Sequence, residues 1–297
     1  MKKVYLFVSV MIVASIMLAG CAPKGPALGT EGNPIQWVFV PSGELERVSS
    51  GATKVADLLF KETGLYIETF VATDYTAAIE AECSDPPKAH MGSLATFALI
   101  TAADRGCSFP ALVADRRGSL SYTGQIFAHV DSGIETLADI KGKTFCAVET
   151  SSTSGWIIPS VMLRAAGLTP DVDFNVLYAG SHDAAVAGVY NGDCDAGASY
   201  VDARTRVEGD YPDVMDKIKI IEVSIEIPND GVQFVKSFPE EMKQQIVNAL
   251  LKIAATEEGA AALNEAYQWN GIQAKDNSFY DAFRQLLDAA GIKASDL

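Results

Sequence analysis

Apolar and polar positions switch between two periods along most of the chain. Residues 35–41 (IQWVFVP) and 66–73 (YIETFVAT) read as strands. Between them Val48, Ala52, Val55, Leu58 and Leu59 recur at helical spacing over 45–62. The switch repeats with a helix at 75–83, a short strand at 89–92, a helix at 94–103 and a strand around 111–114. A second round begins with a strand at 122–129, a short helix at 135–140 and a strand at 143–148. It continues with a helix at 153–166, a strand at 174–178, a helix at 182–190, and strands at 196–201 and 218–227. Helices at 239–255, 257–267 and 280–290 end the chain. The first of these opens with Pro239 and two glutamates, which suit the positive end of a helix.

Such alternation predicts an α/β fold of doubly wound, mostly parallel sheets. Two similar halves and a helical tail predict two lobes. Residues 34–121 with 225–297 form one and 122–224 the other, joined by a two-strand hinge near Ser121 and Ile225. Ligands of open α/β sheets sit outside the carboxyl ends of the strands, so the expected site is the cleft between the lobes.

The first 20 residues follow another pattern. Lys2 and Lys3 precede a mostly apolar run over 4–18, and small residues lead to Cys21. A basic start, an apolar centre and a small-residue cleavage point make a secretory signal. Leu18-Ala19-Gly20-Cys21 resembles the lipobox of bacterial lipoproteins. The resemblance implies that Cys21 is acylated, palmitate included, and anchors the mature protein to the membrane outside the cytoplasm. No later stretch approaches the ~20 apolar residues needed to span a bilayer. Residues 22–33 (APKGPALGTEGN) read as a flexible tether.

The formal charge of −15 falls to −17 when Lys2 and Lys3 leave with the signal. So acidic a chain argues against nucleic acid and against adhesion to anionic lipid. Four cysteines remain, an even number that favours disulfides in an exported protein. Of the three possible pairings, Cys83–Cys107 and Cys146–Cys194 keep each bridge within one lobe. There is no C-x-x-C, and His90, His129 and His182 are scattered, so neither a metal centre nor a cofactor is expected.

The stretch ETSSTSGWIIPS (149–160) lies where a strand gives way to a helix. Ser152, Thr153 and Ser154 fall at the cap and first turn. There the unpaired N–H groups carry partial positive charge, and hydroxyls add donors. Gly155 leaves the backbone open to a ligand. The expectation is an anion site made of amides and alcohols with little or no fixed positive charge. A plain Ser/Thr N-cap would need only one hydroxyl. Thr73-Asp74-Tyr75, Gly180-Ser181-His182, Tyr200-Val201-Asp202 and Ile227-Pro228-Asn229-Asp230 sit at matching junctions.

Together TDYTAAIEA (73–81), MGSLATFALI (91–100), SYTGQIFAHVDSGIETLADIKGKTF (121–145), SSTSGWIIPSVMLRAAGL (151–168), GSHDAAVAGVYNGDCDAG (180–197) and IPND (227–230) resemble the phosphonate-binding lipoproteins of ABC importers. These have the two-lobed type II periplasmic binding fold. The resemblance implies that Ser152, Thr153, Ser154 and Gly155 hold phosphonate oxygens, Tyr75 and Tyr122 donate from two sides, and His182 adds a ring N–H. It also implies that Asp202 and Asp230 hold a ligand ammonium, as for an aminoalkylphosphonate. The implied partners are an ABC permease and its ATPase, and the implied state is a monomer. Phosphite, phosphate or a thiamine-precursor-like ligand on the same fold is the alternative, as is a ligand-sensing subunit.

An enzyme of phosphorus metabolism fits poorly. The chain lacks a G-x-S-x-G elbow. Gly142-Lys143-Thr144 echoes a phosphate loop, but Leu137 stands where that motif needs glycine.

Overall fold

The computed structural model describes residues 25–293, so the signal segment 1–20 and Cys21 lie outside the described residues. Among the described residues eleven strands form two sheets. One holds β1 (Ile35–Phe39), β2 (Ile67–Val71), β3 (Met91–Ser93), β4 (Ser108–Asp115), β10 (Gly231–Val235) and β11 (Gly271–Ala274). The other holds β5 (Ser121–His129), β6 (Thr144–Ala147), β7 (Asn175–Tyr178), β8 (Ala196–Tyr200) and β9 (Ile218–Pro228).

The two sheets repeat one plan. The order β2-β1-β3-β10-β4 in the first, with β11 added at its edge, matches β7-β6-β8-β5-β9 in the second. β1 runs parallel to β2 and β3, and β6 parallel to β7 and β8. Both sheets also contain one reversed inner strand, β10 or β5, antiparallel to both neighbours. In each case the reversed strand is the one arriving from the other sheet. β5 follows β4 directly, and β10 follows β9.

The crossings are short. Arg116 and Ser119 exchange backbone hydrogen bonds of 2.9 and 3.1 Å around Arg117 and Gly118. Those two residues have φ of 55° and 83°, the left-handed pair that a tight reversal uses. The return passes through Asn229 and Asp230, because β9 continues to Pro228 opposite Ser121. The expected boundary at Ile225 therefore falls inside a strand. Asn229 ties the crossings together. Its Nδ2 donates to Ala114 O (2.8 Å) and Ser119 O (2.9 Å), and its backbone N–H donates to Leu120 O (2.8 Å).

Local chemistry explains the helix starts that face the cleft. Glu44 accepts from the N–H groups of Glu46 and Arg47 ahead of the helix Leu45–Thr63, which stops at left-handed Gly64. Asp74 caps Tyr75–Cys83 through Ala77 N, and Ser181 caps His182–Asn191 through Ala184 N. Pattern reading passed over β10 and β11. All five β10 residues are buried, so it has no alternation, and β11 is only four residues long. A Cβ on Gly231 would collide with the Leu112 carbonyl, which is why β10 opens with glycine.

Part of the expected tether is ordered. Gly29 N donates to Asn33 O at 2.8 Å, Tyr66 N donates to Gly29 O at 2.9 Å, and Leu28 packs on the core. Backbone pairing to the segment before β2 thus extends the folded body to about Ala27. Disulfides join Cys83 to Cys107 and Cys146 to Cys194. No helix of the described residues is long and apolar enough to cross a membrane.

Candidate functional site

β6 ends at Ala147, and the chain then turns through Glu149–Ser152. The carbonyl of Ser152 accepts from both Trp156 N and Ile157 N at 2.9 Å, so the first turn, Thr153–Ile157, is a wide one. The helix Ile158–Ala165 continues it. Pro159 has no N–H to offer the Gly155 carbonyl, which instead accepts from Val148 N at 3.2 Å. The N–H groups of Thr153, Ser154 and Gly155 precede the first helical bonds, as an anion site requires.

The hydroxyls of this stretch do different jobs. Ser154 lines a cavity of about 510 Å³. Ser151 and Ser152 are buried, and neither hydroxyl has a hydrogen-bond partner. Thr153 Oγ1 accepts from Phe97 N at 2.8 Å. Gly155 is a packing requirement, since a Cβ there would collide with Val148 and Ser152. Ser152, Thr153 and Gly155 thus sit behind the cavity wall, not on it.

Tyr75, Tyr122 and His182 join Ser154 on that wall. Tyr75 is fully buried, and its hydroxyl has Ser152 within reach but makes no hydrogen bond of good geometry. Burial pushes both phenols above their ordinary range, so each remains a donor. Ser154 and Thr96 lie within reach of the Tyr122 hydroxyl. His182 Nδ1 is 2.7 Å from Ser199 Oγ, and its ring lies 4.7 Å from that of Tyr200. Burial, and then the positive charge of Arg116, push the imidazole down to about 3. The ring is therefore neutral, and the stronger protonated donor is not available.

Charge is the main departure from expectation. Arg47, Arg116, Arg117 and Arg206 all line the cavity. Arg116 Nη1 lies 2.6 Å from Asp230 Oδ1, donates to Asn229 Oδ1 at 3.0 Å, and sits 5.3 Å over the Tyr122 ring. The Arg116–Asp230 contact is close but off hydrogen-bond geometry at Oδ1. Arg117 donates to Asp202 Oδ2 at 2.9 Å. Arg47 pairs with Asp183 at 2.7 Å. Both acids expected to hold a ligand ammonium thus have a guanidinium already. Arg116, Arg117 and Arg206 lie on segments without a helical or strand signature, and Arg47 is one polar residue of the helix Leu45–Thr63, so neither spacing nor motif singled them out.

Residues on opposite sides of the cavity also meet directly. Glu44 N donates to Asp183 Oδ2 at 3.0 Å, His182 N to Ser42 O at 3.1 Å, and Arg206 Nη2 to Asn264 O at 3.2 Å. With the Thr153–Phe97 bond, these contacts describe a closed cleft.

A family described as the periplasmic substrate-binding protein of phosphonate ABC transporters matches residues 37–280. The chain belongs to this family. Its members are substrate-binding transport components that work outside the cytoplasm. Among curated relatives, the phosphate-import protein PhnD of Mycolicibacterium smegmatis is 24% identical, over 93% of each chain. Among solved structures, a binding protein component of an ABC phosphonate transporter from Pseudomonas aeruginosa superimposes with a TM-score of 0.80. It is 22% identical, covering 90% of this chain and 87% of that one. PhnD1 from Prochlorococcus marinus, in complex with methylphosphonate, gives 0.76 at 15% identity over 86% and 98%. These likenesses support the two-lobed α/β fold of this phosphonate-binding family member.

Proposed function

We propose that this chain closes two lobes over a phosphonate and delivers it to an ABC permease and its ATPase without altering it. The lobes are the two sheets with their helices, hinged at the 116–120 and 229–230 crossings. The observation that carries the reading is Tyr75. It lines the cavity, and its buried hydroxyl, with Ser152 nearby, makes no hydrogen bond of good geometry in the protein. An unmet buried donor costs about 1–3 kcal/mol, a cost that a ligand oxygen would remove. Ser154, through its hydroxyl and its N–H, and Tyr122 complete a donor set for a tetrahedral oxyanion. Ser152 and Thr153 support it from behind. Cys21, acylated, would hold the protein at the outer face of the membrane.

Phosphate is the second reading, favoured by the name of the Mycolicibacterium smegmatis relative. Thermal shift against methylphosphonate, phosphite and phosphate tests both. Saturation at a hundredfold excess over Kd adds about 2.7 kcal/mol. At about 2–4 °C per kcal/mol the melt rises by several degrees. A melt that no phosphorus oxyanion moves would reject both readings. Recovery of the compound unchanged, by phosphorus NMR, separates binding from catalysis.

A further inference from the structure

Four arginines line the cavity, but their charges are not equally spoken for. Arg47 is held by Asp183, Arg116 by Asp230 and Arg117 by Asp202. Among the described residues Arg206 forms no ion pair. It is half-buried, and its hydrogen-bond partners are neutral. Nη2 donates to Asn264 O at 3.2 Å. In the amide orientation that the guanidinium donors require, Gln268 Oε1 accepts from Nη2 at 3.1 Å and also from Nε. The Tyr200 hydroxyl is also within hydrogen-bond reach, so the partners of this guanidinium are all neutral and its charge is unmatched. Arg206 and Tyr200 line the same cavity as Tyr75, Tyr122 and Ser154.

The carboxylates give the complementary picture. Asp230 is committed to Arg116 and Asp202 to Arg117. Glu226, at the exposed rim, accepts from Ser121 Oγ at 3.0 Å. The cavity interior thus offers an unpaired cation and no unpaired carboxylate. Each interior carboxylate already faces a guanidinium, whereas Arg206 faces none, so the charge balance favours an acidic tail over an ammonium.

We infer that the ligand is a phosphonate carrying a second acidic group, a phosphonocarboxylate or its like, with Arg206 as the residue that reads the tail. The inference rests on the phosphonate reading above and refines it. A planar guanidinium matches a carboxylate in charge and geometry.

Isothermal titration of the full mature chain with methylphosphonate, aminoethylphosphonate and phosphonoacetate decides it. Phosphonoacetate is expected to bind about tenfold or more tighter than methylphosphonate, the worth of one charge-assisted contact. Arg206→Gln should erase that preference, with a much smaller loss for methylphosphonate, and Arg206→Lys should keep part of it. If Arg206→Gln fails to fold, the wild-type ranking and Arg206→Lys still decide. A wild-type ranking with aminoethylphosphonate first, or phosphonoacetate no tighter than methylphosphonate, overturns the inference. So does an equal loss for all three ligands in Arg206→Gln, which would make Arg206 a latch onto Asn264. If none of the three binds, the phosphonate reading itself has failed and this refinement falls with it.

Discussion

Thr153 Oγ1 accepts the backbone N–H of Phe97 at 2.8 Å, so a hydroxyl that follows β6 caps a helix belonging to the other sheet. The helix Thr96–Asp104 has Ala95 at its N-cap and no cap bond of its own. Its missing oxygen is supplied across the cleft.

Thr153→Val should therefore cost about 1 kcal/mol, the ordinary worth of an N-cap. The melt should fall by about 2–4 °C, and methylphosphonate should bind more weakly because closure loses a contact. Thr153→Ser keeps the acceptor and should restore both. An unchanged melting temperature in the valine variant would remove Thr153 from this role.

The two arginine–aspartate pairs nearest the hinge should differ sharply in worth. The Arg116 and Asp230 side chains are 21% and 12% exposed, those of Arg117 and Asp202 77% and 41%. Asp230→Asn strands a buried guanidinium and should cost about 3 kcal/mol in urea unfolding. Arg117→Ala breaks a solvated pair and should cost less than about 1 kcal/mol. Equal losses would contradict the burial argument.

Two buried groups should give stability opposite slopes with pH. Burial raises the Glu82 carboxyl from 4.5 to about 8, against the pull of hydrogen bonds from Ser108 and Gln233. The unfolded chain loses that proton first. The stability Glu82 contributes is full below 4.5 and is lost as pH rises towards 8. His182 is depressed from 6.5 to about 3 by burial and then by Arg116. Its contribution is full above 6.5 and is lost as pH falls towards 3. Between 4.5 and 6.5 the two oppose each other, and above 6.5 the Glu82 slope stands alone. Urea unfolding should show wild-type stability falling from pH 6.5 to 8 relative to Glu82→Gln. Parallel curves would refute the buried carboxyl. In NMR, His182 should not titrate between about pH 5 and 8.

Much of the fold was legible before the structure. The helix Tyr75–Cys83 begins and ends where apolar spacing put it, and β5 and β9 match within a few residues. Tyr75, Tyr122, Ser154, His182, Asp202 and Asp230 do converge on one cavity, because each follows or flanks a strand end that the alternation located. β10 was not legible, because a strand buried on both faces shows no period. Nor was the work of Thr153 and Gly155. A hydroxyl and a missing side chain look the same in a string whether they meet a ligand, a helix end or Val148.

The sequence by itself determined the alternation of elements, the repeated halves, the junctions that carry polar side chains and the acidic balance of the whole. These are local or summed properties, and they survive without knowing what touches what. Only the tertiary structure decided the electrostatics of the cleft. Arg116 meets Asp230, Arg117 meets Asp202, Arg47 meets Asp183, and Arg206 meets no carboxylate, across separations of up to 136 residues. Coulomb energy depends on distance and burial, neither of which is written in the order of residues along a chain.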